Sequence, residues 1–337
     1  MKVTGEENSI RYITSEYDGY ETRYPKLLEL SDKQLEKQMW FASETKVYEE
    51  DRLEMLYKLT PTQQRVVKAI LPMFRKYEDN VADFWVKVFA EYFKAPECKE
   101  GALVIGMMER AVHERFYDKV NKVYGTDTDE HYLSYLQDPI FKERAKWLGK
   151  TLKGKDKHEV CLVYGLVEGV SLFSMFALLR SFQANGYNLI STTVKGTKQS
   201  AIDELLHSEY LATAFNYYYA ERGFTLEEDE EYYNKLLEQT YNVVENEKYI
   251  LTQLIGEEGS FNGVKIEEYF TLIEKLADDY FVRLGCKKLP FNVENSELHS
   301  WFVTQSVAYA EPDFFGKGKN KEYEMAWTAD SFKGVWL

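Results

Sequence analysis

Between about Leu30 and Leu284 apolar residues recur at three- and four-residue steps, and only seven prolines punctuate the whole chain. That is the period of a helix, so the chain is predicted to be all-α, with helices over 31–58, 62–94, 99–124, 129–152, 157–186, 196–222, 227–255 and about 265–285. Several ends have a local cause. Thr60-Pro61 suits a cap and a first turn, Ala95-Pro96 stops the preceding helix, and Ala184-Asn185-Gly186 supplies a turn. No Pro/Gly/Ser-rich linker divides residues 30–285, and no repeat of fixed period is present. The length of 337 residues allows one large helical domain or two, and one is the simpler reading.

The apolar stripes carry intruders. One runs Val67, Leu71, Phe74, Glu78, Val81, Trp85, Val88, Tyr92, and the next runs Ala102, Ile105, Glu109, His113, Phe116, Val120, Val123. A third reads Cys161, Gly165, Glu168, Leu172, Met175, Leu179, Phe182, and a fourth reads Thr197, Ala201, Glu204, His207, Leu211, Phe215, Tyr218. An ionised carboxylate in hydrocarbon costs several kcal/mol or more, so carboxylates on four inward faces demand neutralising charge. A metal pair supplies it, and an oxygen/imidazole donor set suits iron or manganese better than zinc. Di-iron and di-manganese bundles take one carboxylate from each of two helices and a Glu/His pair from each of two others. Here the singles are Glu78 and Glu168, and the pairs are Glu109/His113 and Glu204/His207.

Composition narrows the function classes. With 42 basic against 56 acidic residues the formal net charge is −14, which argues against nonspecific binding to nucleic acid or anionic lipid. Cys98, Cys161 and Cys286 are far apart, so neither a disulfide framework nor a thiolate zinc site is indicated, and a cytoplasmic home is expected. No apolar run is expected to reach membrane-spanning length, and residues 1–5 open a polar stretch without a signal-peptide core.

Four segments together resemble the small subunit of class I ribonucleotide reductase, over roughly residues 30–225 and the tail. Asp203-Glu204-Leu205-Leu206-His207 resembles that family's Asp-Glu-x-x-His segment, and Val167-Glu168-Gly169 its preceding metal Glu. His113-Glu114-Arg115-Phe116-Tyr117 resembles its His-x-x-x-Tyr stretch, and Trp40-Phe41-Ala42-Ser43-Glu44 the segment opening its core. The resemblance implies a ferritin-like helix bundle with additional helices, forming a homodimer. Glu78, Glu109, His113, Glu168, Glu204 and His207 would hold two metal ions, iron and/or manganese, and Tyr117 would carry a radical. Trp40 and Asp203 would join His113 in a chain conducting electrons between the metal site and the surface. It further implies a large catalytic subunit as partner and admits an activating flavoprotein.

Two departures stand out. Glu78 occupies a position where the family usually has Asp. Glu109 and His113 are four residues apart where the family has three, so strict register from His113 would put Arg110 in the ligand's place, and a local bulge would be needed to keep Glu109 there.

From about Glu311 the chain changes character, with Gly316-Lys317-Gly318-Lys319-Asn320-Lys321 followed by isolated aromatics. Residues 1–310 are therefore expected to form the metal-binding domain and 311–337 a flexible docking tail. Resemblance to the family's C-terminal peptide makes Tyr323 the candidate radical relay and Phe332, Trp336 and Leu337 the docking anchors. The main rival is a di-metal ligand-binding oxidase or hydroxylase, which shares the metal residues without needing the Trp40/Asp203 chain or the tail. A metal-storage or structural bundle would need no radical tyrosine.

Overall fold

The structure is a computed structural model, and it describes residues 12–16, 21–44, 49–134, 137 and 139–307. Among these the regular secondary structure is helical except for a small antiparallel hairpin, Ser260–Phe261 with Val264–Lys265. The helices are α1 (Pro25–Lys37), α2 (Glu49–Tyr57), α3 (Pro61–Phe84) and α4 (Pro96–Met107). They continue as α5 (Asp129–Ser134), α6 (Pro139–Leu152), α7 (Lys157–Leu166), α8 (Ser191–Ala220), α9 (Glu230–Ile255), α10 (Ile266–Arg283) and α11 (Glu297–Val307).

Three of these rods are longer than their first segment. The rod of α3 passes into a π-helical segment, Trp85–Phe89, and ends in Ala90–Tyr92. That of α4 passes through a π segment, Met108–His113, into Glu114–Tyr124. That of α7 passes through a π segment, Val167–Ser171, into Phe173–Arg180 and a closing turn, Ser181–Gln183.

Local chemistry sets the ends. Thr60 and Gln63 form a reciprocal capping box with Pro61 in the first turn of α3, and Asp156 accepts the His158 and Glu159 amides at the start of α7. Gly125 closes the α4 rod with φ of +68°, in the left-handed region a side chain avoids.

Two predicted spans were too long. The helix expected over 31–58 is α1 and α2, because the chain leaves the helix after Lys37 and carries Trp40 inward on irregular backbone. The helix expected over 129–152 is α5 and α6, parted at Pro139, which has no N–H to give and restricts the residue before it. The hairpin and α11 were not foreseen.

The α3, α4, α7 and α8 rods pack around one core, with α1 lying across α4 and α8, and α9 and α10 covering α7. Contrary to the sequence expectation, the α7 rod, Lys157–Gln183, is long and apolar enough to cross a membrane; its most apolar window is wholly buried in the protein's own core. Gly165 and Gly196 permit this closeness, since a Cβ there would run into Tyr280 and Phe116 respectively. The residues predicted to act in the tail, Tyr323, Phe332, Trp336 and Leu337, lie outside the described residues.

Candidate metal centre

Glu78, Glu109, His113, Glu168, Glu204 and His207 all have zero solvent exposure, and they meet. Their donor atoms form two overlapping groups, Glu78/Glu109/His113/Glu204 and Glu109/Glu168/Glu204/His207, each with its atoms within 4.8 Å of one another. Glu109 and Glu204 belong to both. The arrangement is thus two adjoining half-sites, each with one private Glu and one His, sharing two carboxylates.

The π segment of α4 decides the register question. Its wide turn lets Glu109 and His113 both face the cluster at a spacing of four, with His113 Nδ1 3.1 Å from Glu109 Oε2. Arg110 points the other way. It is about half exposed and pairs with Asp79, with Asp83 at 3.6 Å and with Glu114 at 3.0 Å. The other two π segments lie at the site as well: one contains Glu168, and the other begins at Trp85, whose Nε1 donates to Glu168 Oε1 at 2.7 Å.

Both histidines turn Nδ1 toward the carboxylates. His207 Nδ1 lies 2.7 Å from Glu109 Oε1 and 3.0 Å from Glu204 Oε2, and His113 Nδ1 lies 3.3 Å from Glu204 Oε1. Their Nε2 atoms face outward. His113 Nε2 is 2.9 Å from Asp203 Oδ2, which also accepts from Trp40 Nε1 at 2.8 Å. Trp40 stacks on His113, with ring centroids 5.7 Å apart. The predicted Trp40, Asp203 and His113 therefore form one hydrogen-bonded chain.

Tyr117 is fully buried one turn beyond His113, stacked on Phe74 with ring centroids 4.7 Å apart, and its hydroxyl has no hydrogen-bond partner. Burial and the charge of Glu78 push its pKa well up, against the Ser200 hydroxyl, so the phenol keeps its proton.

The charge pattern shows strain that protons alone relieve poorly. Burial, and then Glu109, push Glu78 well above the usual carboxylate range, and burial, then Glu204, do the same to Glu168. Burial also opposes ionisation of Glu109 and Glu204, yet the imidazolium charges of His113 and His207 outweigh it and hold both low. Burial would lower the histidines, but Glu109 and its neighbours raise His113 well above its ordinary value and His207 to about 9.

Five carboxylate oxygens in the cluster have no hydrogen bond: both of Glu78, and one each of Glu109, Glu168 and Glu204. Buried acceptors are rarely left so, and this many in one place fit cations better than solvent. Asp203, outside the cluster, has its oxygens filled by Gln34, Trp40 and His113. The donor set and its orphaned oxygens suit two hard or borderline cations.

Sequence reasoning missed Gln34, Trp85 and the buried tyrosines Tyr77 and Tyr164. Gln34 was findable in principle, because it lies on the buried stripe Leu27, Leu30, Ser31, Gln34 of α1. A cavity of about 200 Å3 between α6 and α9 reaches Ser171 in the α7 π segment but none of the six cluster residues. At its wall Arg144 and Glu247 form a buried ion pair at 2.7 Å.

These features define a class: a ferritin-like helical protein with an interior site shaped for two cations. The chain belongs to the ribonucleotide reductase small-chain family, whose model matches residues 18–297. It is 28% identical over 219 residues to a probable ribonucleoside-diphosphate reductase small subunit of Invertebrate iridescent virus 6. That match spans 59% of this chain and 58% of the viral protein. Its fold is similar to a putative class I ribonucleotide reductase from Bacillus halodurans, with TM-score 0.74 and 20% identity over 84% of this chain and 100% of that one. It is also similar to the dimanganese(II) NrdF of Streptococcus sanguinis, with TM-score 0.72 and 16% identity over 87% of this chain and 100% of that one.

Proposed function

We propose that this chain is the radical-generating small subunit of a ribonucleoside-diphosphate reductase, holding two metal ions, iron and/or manganese, and supplying a radical to a large catalytic subunit. The observation that carries this reading is the pair of half-sites sharing Glu109 and Glu204, with five carboxylate oxygens left without hydrogen bonds. Glu78 and His113 would complete one half-site, Glu168 and His207 the other. Two divalent cations would balance the four carboxylates with both histidines neutral. The dimanganese(II) form of the similar streptococcal structure supports manganese as one choice.

When bound and treated with an oxidant, such a pair supplies one-electron oxidising power. The rest falls to the chain. Tyr117 stays protonated and dry until it gives up an electron, and Glu78, the carboxylate whose charge it feels most, is the acceptor we assign to its phenolic proton. Asp203 fixes His113 through Nε2 and holds the Trp40 indole, which gives electrons a bonded route of three side chains. Tyr323 and the tail 311–337 would continue that route to the large subunit. A second copy of the chain completes the homodimer, and a flavoprotein that delivers oxidant is a further partner, all in the cytoplasm.

The test is electron paramagnetic resonance after aerobic reconstitution with iron and with manganese separately, beside metal analysis. A tyrosyl signal that disappears in Tyr117→Phe is expected. Absence of bound metal in both cases would refute the proposal, and metal without any radical would favour an oxidase or hydroxylase.

A further inference from the structure

Gln34 sits behind the cluster with no solvent exposure, between His207 of one half-site and Asp203, the outer partner of His113 in the other. Its Nε2 is 3.1 Å from Asp203 Oδ1, and its Oε1 is 3.2 Å from His207 Nε2. The carboxylate of Asp203 can only accept, so the amide must present NH2 to it. The carbonyl oxygen is thereby left facing His207, and it can only accept. His207 must then carry a proton on Nε2, so that in its neutral form, with a cation bound, the Nδ1 lone pair would be the one facing Glu109 and Glu204. On the other side Asp203 imposes the same tautomer on His113. A single amide thus passes the polarity of Asp203 across to the second histidine.

We propose that Gln34 is a positioning residue that locks His207 as the Nε2–H tautomer and joins the second half-site to the Trp40–Asp203 chain. This rests on the di-metal reading of the cluster and goes beyond it by giving His207 its own connection to Trp40. The connection is His207, Gln34, Asp203, Trp40, each link being a hydrogen bond. Its source in the fold is α1, which lies across α4 and α8, the helices that carry the two histidines. Outer partners of metal-bound histidines fix ring orientation and ligand basicity, and losing one weakens a metal by roughly 10- to 100-fold.

The experiment uses zinc as a diamagnetic probe on the full chain, labelled with 15N-histidine; five histidines keep the spectrum assignable. In the zinc-loaded parent, the Nε2 protons of His113 and His207 should both be slow to exchange. Gln34→Leu should lose the His207 signal, keep that of His113, and weaken one of two zinc-binding events roughly 10- to 100-fold while sparing the other. Gln34→Glu, buried beside the Asp203 carboxylate and so held as the protonated acid, can still donate to Asp203 and accept from His207, and should keep the signal and the affinity. An unchanged His207 signal in Gln34→Leu, its loss in Gln34→Glu, or equal weakening of both zinc events would overturn the inference while leaving the di-metal reading standing. A parent that binds no zinc, iron or manganese would take both down together.

Discussion

Not every carboxylate in the cluster should matter equally. Glu109 and Glu204 belong to both half-sites, whereas Glu78 and Glu168 each belong to one. Glu109→Ala or Glu204→Ala should therefore abolish binding of both ions, and Glu78→Ala or Glu168→Ala should leave one ion held more tightly than the other. Metal analysis of purified variants reads this directly, and equal loss across all four would contradict the shared geometry. Tyr117→Phe should leave stability within about 1 kcal/mol, because the hydroxyl it deletes makes no hydrogen bond. At this scale the sequence was readable where a charged residue broke an apolar stripe, as at Glu78 or Glu168. It was opaque at Gln34, because a polar amide on a short helix looks the same whether it meets water or the back of a buried imidazole.

The helices themselves were legible from their period, and their interruptions only partly so. Pro139 marks a break that could have been foreseen, whereas the end of α1 after Lys37 depends on Trp40 reaching Asp203 across 163 residues of chain. No local pattern records such a contact. The π segment Met108–His113 was legible only as a misfit between a motif's spacing and an apolar stripe. If it is one residue inserted into a regular helix, deleting Arg110 should restore ordinary α pitch with Glu109 and His113 still on one face. Only partly exposed ion pairs would be lost, so stability should fall by about 1 kcal/mol and metal loading should survive. Deleting Lys119 from the regular helix that follows should rotate everything beyond it and cost far more; chemical denaturation of the two deletions would compare them. Gly196→Ala should cost about 1–3 kcal/mol by the same measurement, because the added methyl must displace Phe116, the neighbour of Trp40 and Tyr117.

For the whole molecule, acid sensitivity has a source remote from the cluster. His158 is buried between the Tyr92 and Tyr219 hydroxyls, at 2.7 Å and 2.9 Å, and burial lowers its pKa to about 4. The unfolded chain binds that proton near pH 6.5, the folded one only near 4, so the contribution is complete above 6.5 and is lost as pH falls toward 4. It amounts to about 3 kcal/mol. The stability of His158→Gln should fall less steeply than that of the parent across this window, and parallel curves would exclude the assignment. The tail belongs to this scale too. A synthetic peptide of the last twenty residues should inhibit reduction by the two-subunit enzyme if docking runs through them, and untouched activity would count against that role. Finally, residues 160–182 of the α7 rod are buried without exception. A helix with no wet side has no neutral positions, so saturation mutagenesis should find it intolerant along its whole run, not at every third or fourth residue. Variation in this protein would then have to accumulate on the outer helices, leaving the rod that carries Glu168 as its slowest-changing part.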